Sequence, residues 1–566
     1  MMQGNVHDCD VLVAGSGAAG LTAAITAAHY GLEVVVAEKE LLLGGTTART
    51  AGSMWLPCSR IAAARGIKDS PDNVRTYVRT MAGERFDEQR VNAFIENSPL
   101  VLDFFLDKTA VRVFCPVNGS DYHPELPGGI EVGRALYSEP FDGRVLGEYF
   151  RKLAGPLPEA TFLGIMPQLG AELLHFLRAN RSAQSAWYVG RLLARRACDQ
   201  IVYGRGTRLT NGAALAGRLV RSALDFGIPL WMSSSVSSLT SRDGGVSGAV
   251  LDTPSGKVTV RARRGVVLAC GGFSHDESLR KTFFARALNA HRYWPATAPG
   301  AVGIGLRLGQ SVGAAVNNNL LAPAAWSPMS LVPKANGEVG VLPILWGRAV
   351  PGVIAVMGNG RRFVNEANSY HEFGEALIAA TKGTDEVCAF MVCDSAALRR
   401  YGLGYVRPFP IPHAHHLRSG YLMRGNTLAE LARAAGIDAG ALQTTVEAVN
   451  RDAREGKDSA FGKGTTPYNR HMGDALHKPH PCLSPLEHPP FYAIKLVIGD
   501  IGTYTGLSTD ARARVLDGHG RPIPGLYAAG NDMASIFGGS YPAGGTMLGP
   551  AVTFGFIAGR DLATAS

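Results

Sequence analysis

Two short stretches of this chain carry residue types at spacings suited to chemistry. The first is GSGAAG, in which Gly15, Gly17 and Gly20 form a GxGxxG. Gly at 15 permits a tight turn, Gly at 17 lets backbone approach a pyrophosphate, and Gly at 20 lets a helix pack on a strand. The second is IFGGSYPAGGTMLGP at residues 536–550. There Tyr541 and Gly545 stand four residues apart on one turn, so a phenol and a backbone N–H can converge on a single carbonyl oxygen. Each well-aimed donor of that kind contributes about 3 kcal/mol of transition-state stabilisation.

The elements that must position the first stretch follow in order. Residues 10–14 (DVLVA) read as a buried parallel strand. After the glycines, LTAAITAAHYG reads as a helix that stops at Gly31; Ala18 and Ala19 lead into it, where free amides and the helix dipole favour phosphate. Residues 32–37 form a second strand, closed by Glu38, an acid placed to accept hydrogen bonds from ribose hydroxyls. Lys39 leads to a second glycine-rich turn, Gly44-Gly45-Thr46-Thr47, and then Ala51-Gly52. Two such turns in quick succession suit a cofactor that runs past the first domain edge, which points to FAD rather than NAD. Later segments complete the pattern. A strand, turn and strand open at Val236, GVVLACGGF ends in Cys270, Gly271 and Gly272, and GLYAAGN ends in Gly530 and Asn531. A C-terminal helix after Gly549-Pro550 is expected to aim its first amides at the flavin pyrimidine.

Together these segments resemble the flavoprotein family of fumarate reductases and 3-ketosteroid dehydrogenases along nearly the whole chain. The shared stretches are DVLVAGSGAAG, EKELLLGGTTARTAGSMWLP, GRRFVNEANSYHEF and GLYAAGN. The resemblance implies an α/β fold: a Rossmann-type FAD-binding domain in two parts, residues 1–296 and 488–566, with an α+β catalytic domain inserted at 297–487. Three segments are similar to the Δ1-dehydrogenase branch: the turn at 541–545, the DYHPELPGG loop holding Tyr122, and NEANSY ending at Tyr370. The implied reaction is 1,2-dehydrogenation of a 3-ketosteroid, an apolar small molecule. Tyr541 and Gly545 grip the 3-keto oxygen, Tyr370 takes a proton from C2, and flavin N5 takes a hydride from C1. An ordinary tyrosine, with a pKa of about 10, is a poor base at neutral pH. Tyr122 is therefore expected to support the phenolate and carry the proton away. Ala543 in place of a Gly, GTYTG at 502–506 in place of a Lys-Gly version, and Gly303-Ile304-Gly305 in place of GDG depart from the branch pattern. These leave three alternatives standing: a Δ4-(5α) or other ketosteroid dehydrogenase, a fumarate-reductase-like flavoenzyme, and a flavin-binding subunit with no substrate of its own.

The rest of the sequence sets boundaries. At 566 residues the chain exceeds one ordinary core. Its eight cysteines show no CxxC or CxxH spacing, so no metal site is expected and a reducing, cytoplasmic setting fits. His413, His415 and His416 lack an acidic neighbour and read as a polar loop. His123 and His371 have no matched role and read as outer or surface groups. The opening residues are polar, which predicts no signal peptide, and no run of 18 uncharged apolar residues suggests a membrane span. The net charge of +9 comes with no nucleic-acid motif, so nucleic acid is not expected as a partner. Between Trp187 and Arg208, five arginines share space with Trp, Tyr and Leu; this reads as a solvated helix face, with peripheral contact at the inner membrane surface as the alternative. The apolar stretch at 320–356 shows no clear period and reads as cleft lining or core. No motif identifies the electron acceptor.

Overall fold

The computed structural model describes residues 5–117, 119–285, 292–384 and 386–564. Its first sheet is built around the strand Asn5–Ala14, whose last residues Val11, Leu12, Val13 and Ala14 are fully enclosed. Parallel neighbours lie on both sides, Val34–Ala37 on one and Gly256–Leu268 on the other. Strands Pro522–Ala528 and Leu230–Trp231 extend the sheet outward in parallel on either side. Enclosure on both faces explains why the inner segments of these strands, 11–14, Val34–Ala37 and 266–268, are continuous Val/Leu/Ala runs with no polar alternation. The helix Ala18–His29 leaves the first strand directly. It packs against the C-terminal helix Leu548–Thr564 through Gly555 and Gly559, where an added Cβ would lie 2.5 Å from the Ala19 carbonyl oxygen and 2.6 Å from that of Ala23. The chain's two ends are thus joined in one core.

The second sheet is antiparallel and has six strands. Ala324–Pro333, Val339–Pro343 and Val353–Val356 supply three of them, so the 320–356 stretch is largely strand; Trp326 is buried whereas Trp346 is 45% exposed. The long strand Phe491–Thr503 pairs with Ala324–Pro333, Cys388–Asp394 and Met423–Gly425 and forms the sheet's spine. The boundary expected at 487/488 falls just ahead of this strand. Residues 491–503 belong to the inserted sheet, and the chain rejoins the first sheet only at Arg514–Leu516 and Pro522–Ala528. An apolar strand carries no local mark of which sheet it will join.

The segment between Trp187 and Arg208 is the greater part of a helix, Ala183–Tyr203. It is not a simply polar face: Trp187 is 68% and Ile201 85% exposed, and Arg191 lies over the rings of Trp187 and Tyr188. Among the described residues no helix is long and apolar enough to cross a membrane.

Candidate active site

The turn after the first strand is shaped by its neighbours. Gly15 sits at φ +110°, and a Cβ there would lie 2.2 Å from the Ala269 carbonyl oxygen of the adjoining strand. Gly20 lies under the turn, where a Cβ would be 2.0 Å from the Gly15 oxygen, which keeps helix and strand in contact. Glu38 is buried and accepts from the Ser16 amide (3.0 Å), the Ser16 hydroxyl (2.6 Å) and the Glu40 amide (2.9 Å). The second glycine turn is laced to the first: Ser16 Oγ accepts from the Gly44 amide, and Thr47 Oγ1 accepts from the Ala18 amide.

One cavity of about 1120 Å³ runs from this turn to the tyrosines. That exceeds the range of a single drug-sized ligand and leaves room for two molecules end to end. Of the residues the sequence singles out for the cofactor, Gly15, Gly17, Ala18, Ala19, Glu38, Lys39, Gly45, Thr46, Thr47, Ala51, Gly52, Val236, Cys270, Gly271, Gly530 and Asn531 line it. Five stand behind the wall. Gly20 and Gly44 act through packing and a hydrogen bond, and the Gly272 amide donates to the buried Asp532 carboxylate. Gly549 and Pro550 are the correction that matters most. The helix already begins at Leu548, the Gly549 amide is taken by the Gly545 carbonyl, and Pro550 has no N–H. The amides without a described acceptor at that helix start are those of Met547 and Leu548, residues that line the cavity. A bare-backbone cradle beside the Glu38 carboxylate, continuous with a long cavity, fits FAD.

At the far end three separate segments deliver tyrosines to one place. Asp121 forms a bridge with Ala543, and the Tyr122 amide donates to Pro542, so the Tyr122 loop is stitched to the 541–545 turn by backbone alone. Asp121 is held in turn by the Trp55 indole (2.9 Å) and by Arg134 (2.7 Å), a fully buried guanidinium that also binds Asp69. Gly545 sits at φ +97° against Trp55, whose amide would lie 2.7 Å from an added Cβ. Its carbonyl accepts from Trp55, its own N–H has no described acceptor, and the residue lines the cavity.

Tyr370 opens the helix Tyr370–Ala380, capped by Ser369 in a reciprocal capping box with Glu372. The preceding loop is held at several points. Arg348 donates to the carbonyls of Glu366 and Asn368, Arg362 grips the Glu366 carboxylate, and Asn365 and Asn368 meet Asn469. Asn469 belongs to the short helix Pro467–Met472, which brings in Tyr468, a cavity-lining phenol that no sequence motif marked. The ring centroids of Tyr370 and Tyr541 are 5.3 Å apart, Tyr122 and Tyr370 5.9 Å, and Tyr122 and Tyr468 4.8 Å.

The Tyr370 ring packs against those of Tyr122 and Tyr541, and all three line the cavity. Burial pushes Tyr370 and Tyr122 well above the ordinary phenol value. Burial pushes Tyr541 up to about 12, with the Tyr370 hydrogen bond pulling the other way. Behind Tyr541 stand His371 and Tyr504, both buried and off the cavity wall. The Trp326 amide donates to His371 Nδ1, leaving the proton on Nε2, and burial lowers His371 to about 4, so it is a neutral buttress. His123 is no surface bystander: its Nε2 meets Glu372 at 2.9 Å, tying the Tyr122 loop to the Tyr370 helix. Burial opposes its charge, but Glu372 and Glu125 push it up to about 9. Among the described residues no cluster suited to a metal ion occurs; of the histidines read as a polar loop, His415 and His416 lie in the short helix Ala414–Arg418, with His413 at its start.

A dinucleotide cradle continuous with a pocket lined by phenols fits a flavin-dependent oxidoreductase. The FAD binding domain family matches residues 10–548. The chain belongs to that family, and within it to the ketosteroid dehydrogenase type. It is 35% identical to the 3-oxosteroid 1-dehydrogenase of Mycobacterium tuberculosis (strain ATCC 25618 / H37Rv), covering 99% of both chains. It is 40% identical to the 4-oxocyclohex-2-ene-1-carboxylate 5-dehydrogenase of Sinomonas cyclohexanicum, over 98% of this chain and 94% of that one. The crystal structure of 3-ketosteroid Δ1-dehydrogenase from Sterolibacterium denitrificans, in complex with 1,4-androstadiene-3,17-dione, superimposes with a TM-score of 0.91 at 34% identity, covering 99% of this chain and 100% of that one.

Proposed function

We propose that the protein introduces a C1–C2 double bond into 3-ketosteroids. The observation that carries this reading is the cavity beyond the phenols. Its walls include Leu173, Leu345, Val350, Leu403 and Met472, apolar surface suited to a rigid polycycle. The Tyr541 hydroxyl and the Gly545 amide hold the 3-keto oxygen and acidify the hydrogens on C2. The Tyr370 phenol oxygen faces the adjoining carbon as proton acceptor, and Tyr122 passes the proton on. Bound FAD supplies the acceptor for the hydride from C1.

A second reading has one specific support, the higher identity to the dehydrogenase of a monocyclic keto acid. Its ketone-bearing ring would use the same grip. Anaerobic mixing of the yellow holoenzyme with androst-4-ene-3,17-dione, and separately with 4-oxocyclohex-2-ene-1-carboxylate, tests both. Flavin bleaching by the steroid at the lower concentration is expected; bleaching by the keto acid alone overturns the steroid assignment. Tyr370→Phe should retain flavin yet lose about 10²- to 10⁴-fold in turnover.

A further inference from the structure

We propose that the outer end of the substrate cavity is a subsite for an anionic group, so that the preferred polycyclic ketone carries a carboxylate at the end remote from the oxidised ring. This inference rests on the steroid reading above. Four arginines line that part of the cavity: Arg178, Arg181, Arg400 and Arg407. Asp474 is the carboxylate beside them, and it is already engaged by Arg400 (2.7 Å) and by the Tyr401 hydroxyl (2.9 Å). Glu159, elsewhere on the wall, is held by Lys334 at 3.1 Å.

Arg407 carries the most weight. One of its terminal nitrogens donates to the Thr161 carbonyl (2.8 Å), and its guanidinium lies over the Tyr405 ring. Among the described residues no carboxylate pairs with it. Burial lowers its pKa, the mark of a cation removed from water without a counter-charge. The Nε of Arg400 is likewise buried with no hydrogen-bond partner. Guanidinium forks match a carboxylate with two parallel hydrogen bonds, and a ligand anion would satisfy what the protein leaves open.

The place is distinct from the carbonyl grip. The charge of Arg407 acts on Tyr405, Tyr421 and His416, none of which belongs to the phenol cluster. A carboxylate on the same ring as the ketone would sit among the phenols. One on a side chain at the opposite end of a fused-ring system has the reach to leave them.

The test uses the holoenzyme with two substrates, a 3-keto-4-ene steroid bearing a side-chain carboxylate and the methyl ester of the same compound. At low salt the acid should show a KM about tenfold below that of the ester, with the advantage shrinking as salt rises. Arg407→Gln should raise the KM of the acid about tenfold more than that of the ester. Arg178→Gln, which breaks no described bond, should move the ratio the same way by less. If the wild-type enzyme turns over both with equal KM, or if both variants shift acid and ester alike, the subsite is wrong while the ring chemistry stands. If neither steroid bleaches the flavin, the steroid reading fails and takes the subsite with it.

Discussion

At the scale of the residue, the site poses its own difficulty, because the groups meant to accept a proton are phenols held neutral by burial. Burial, reinforced by the neighbouring Tyr122 and Tyr541 phenols, keeps Tyr370 well above the ordinary range. A base whose pKa is raised is protonated at neutral pH, so its active fraction grows as pH rises. Accordingly kcat/KM should climb steadily from roughly pH 6 to 9, below the ordinary phenol value near 10; a profile flat across that span would remove a phenol as the base. In the proposed reaction Tyr541 donates to the ketone oxygen, and burial raises it as well. Tyr541→Phe removes one of the two oxygen-gripping donors, and kcat should fall about 10²- to 10³-fold at unchanged flavin content.

At the scale of the element, Tyr370 owes its position to the start of a helix. Ser369 accepts from the Glu372 amide at 3.2 Å, and Glu372 returns the bond to Ser369. Ser369→Ala should cost about 1 kcal/mol, read as a lower denaturant midpoint at constant slope. Because Tyr370 is the first helical residue, kcat should fall with it. Where the two helices of the cofactor domain cross, the tolerance is smaller still. Gly559→Val would press on the Ala23 carbonyl and on Thr26 Cβ, and should destabilise by about 1–3 kcal/mol and lower flavin retention on gel filtration.

At the scale of the whole molecule, the cofactor half and the inserted half meet at the site, and His123–Glu372 is a tie between them. His123 has its pKa raised to about 9 in the folded protein, so its contribution is full below the unfolded value of 6.5 and is lost as pH rises through 9. Glu372 is lowered despite burial, chiefly by His123, so its contribution is present above 4.5 and is lost as pH falls through the depressed value. The tie is therefore strongest between those limits. In thermal melts the wild type should lose more Tm between pH 7 and 9.5 than His123→Gln does; equal losses would show that the tie carries no net stability.

The sequence by itself determined the cofactor, because GSGAAG, its flanking strands and Glu38 lie within 29 consecutive residues, from 10 to 38, and their geometry is set by local turns and one helix. It also marked Tyr122, Tyr370 and Tyr541 through their motifs. Only the tertiary structure brought those three rings together, added Tyr468 by way of the Asn469 contacts, and gave His123 a carboxylate partner 249 positions away. Strand pairing likewise decided that residues 491–503 serve the inserted sheet, since hydrogen-bond partners far apart in the chain leave no trace in local hydrophobicity. The free amides at the last helix start are those of Met547 and Leu548 for the same reason: the turn before it spends the Gly549 N–H on Gly545, which only the folded backbone reveals.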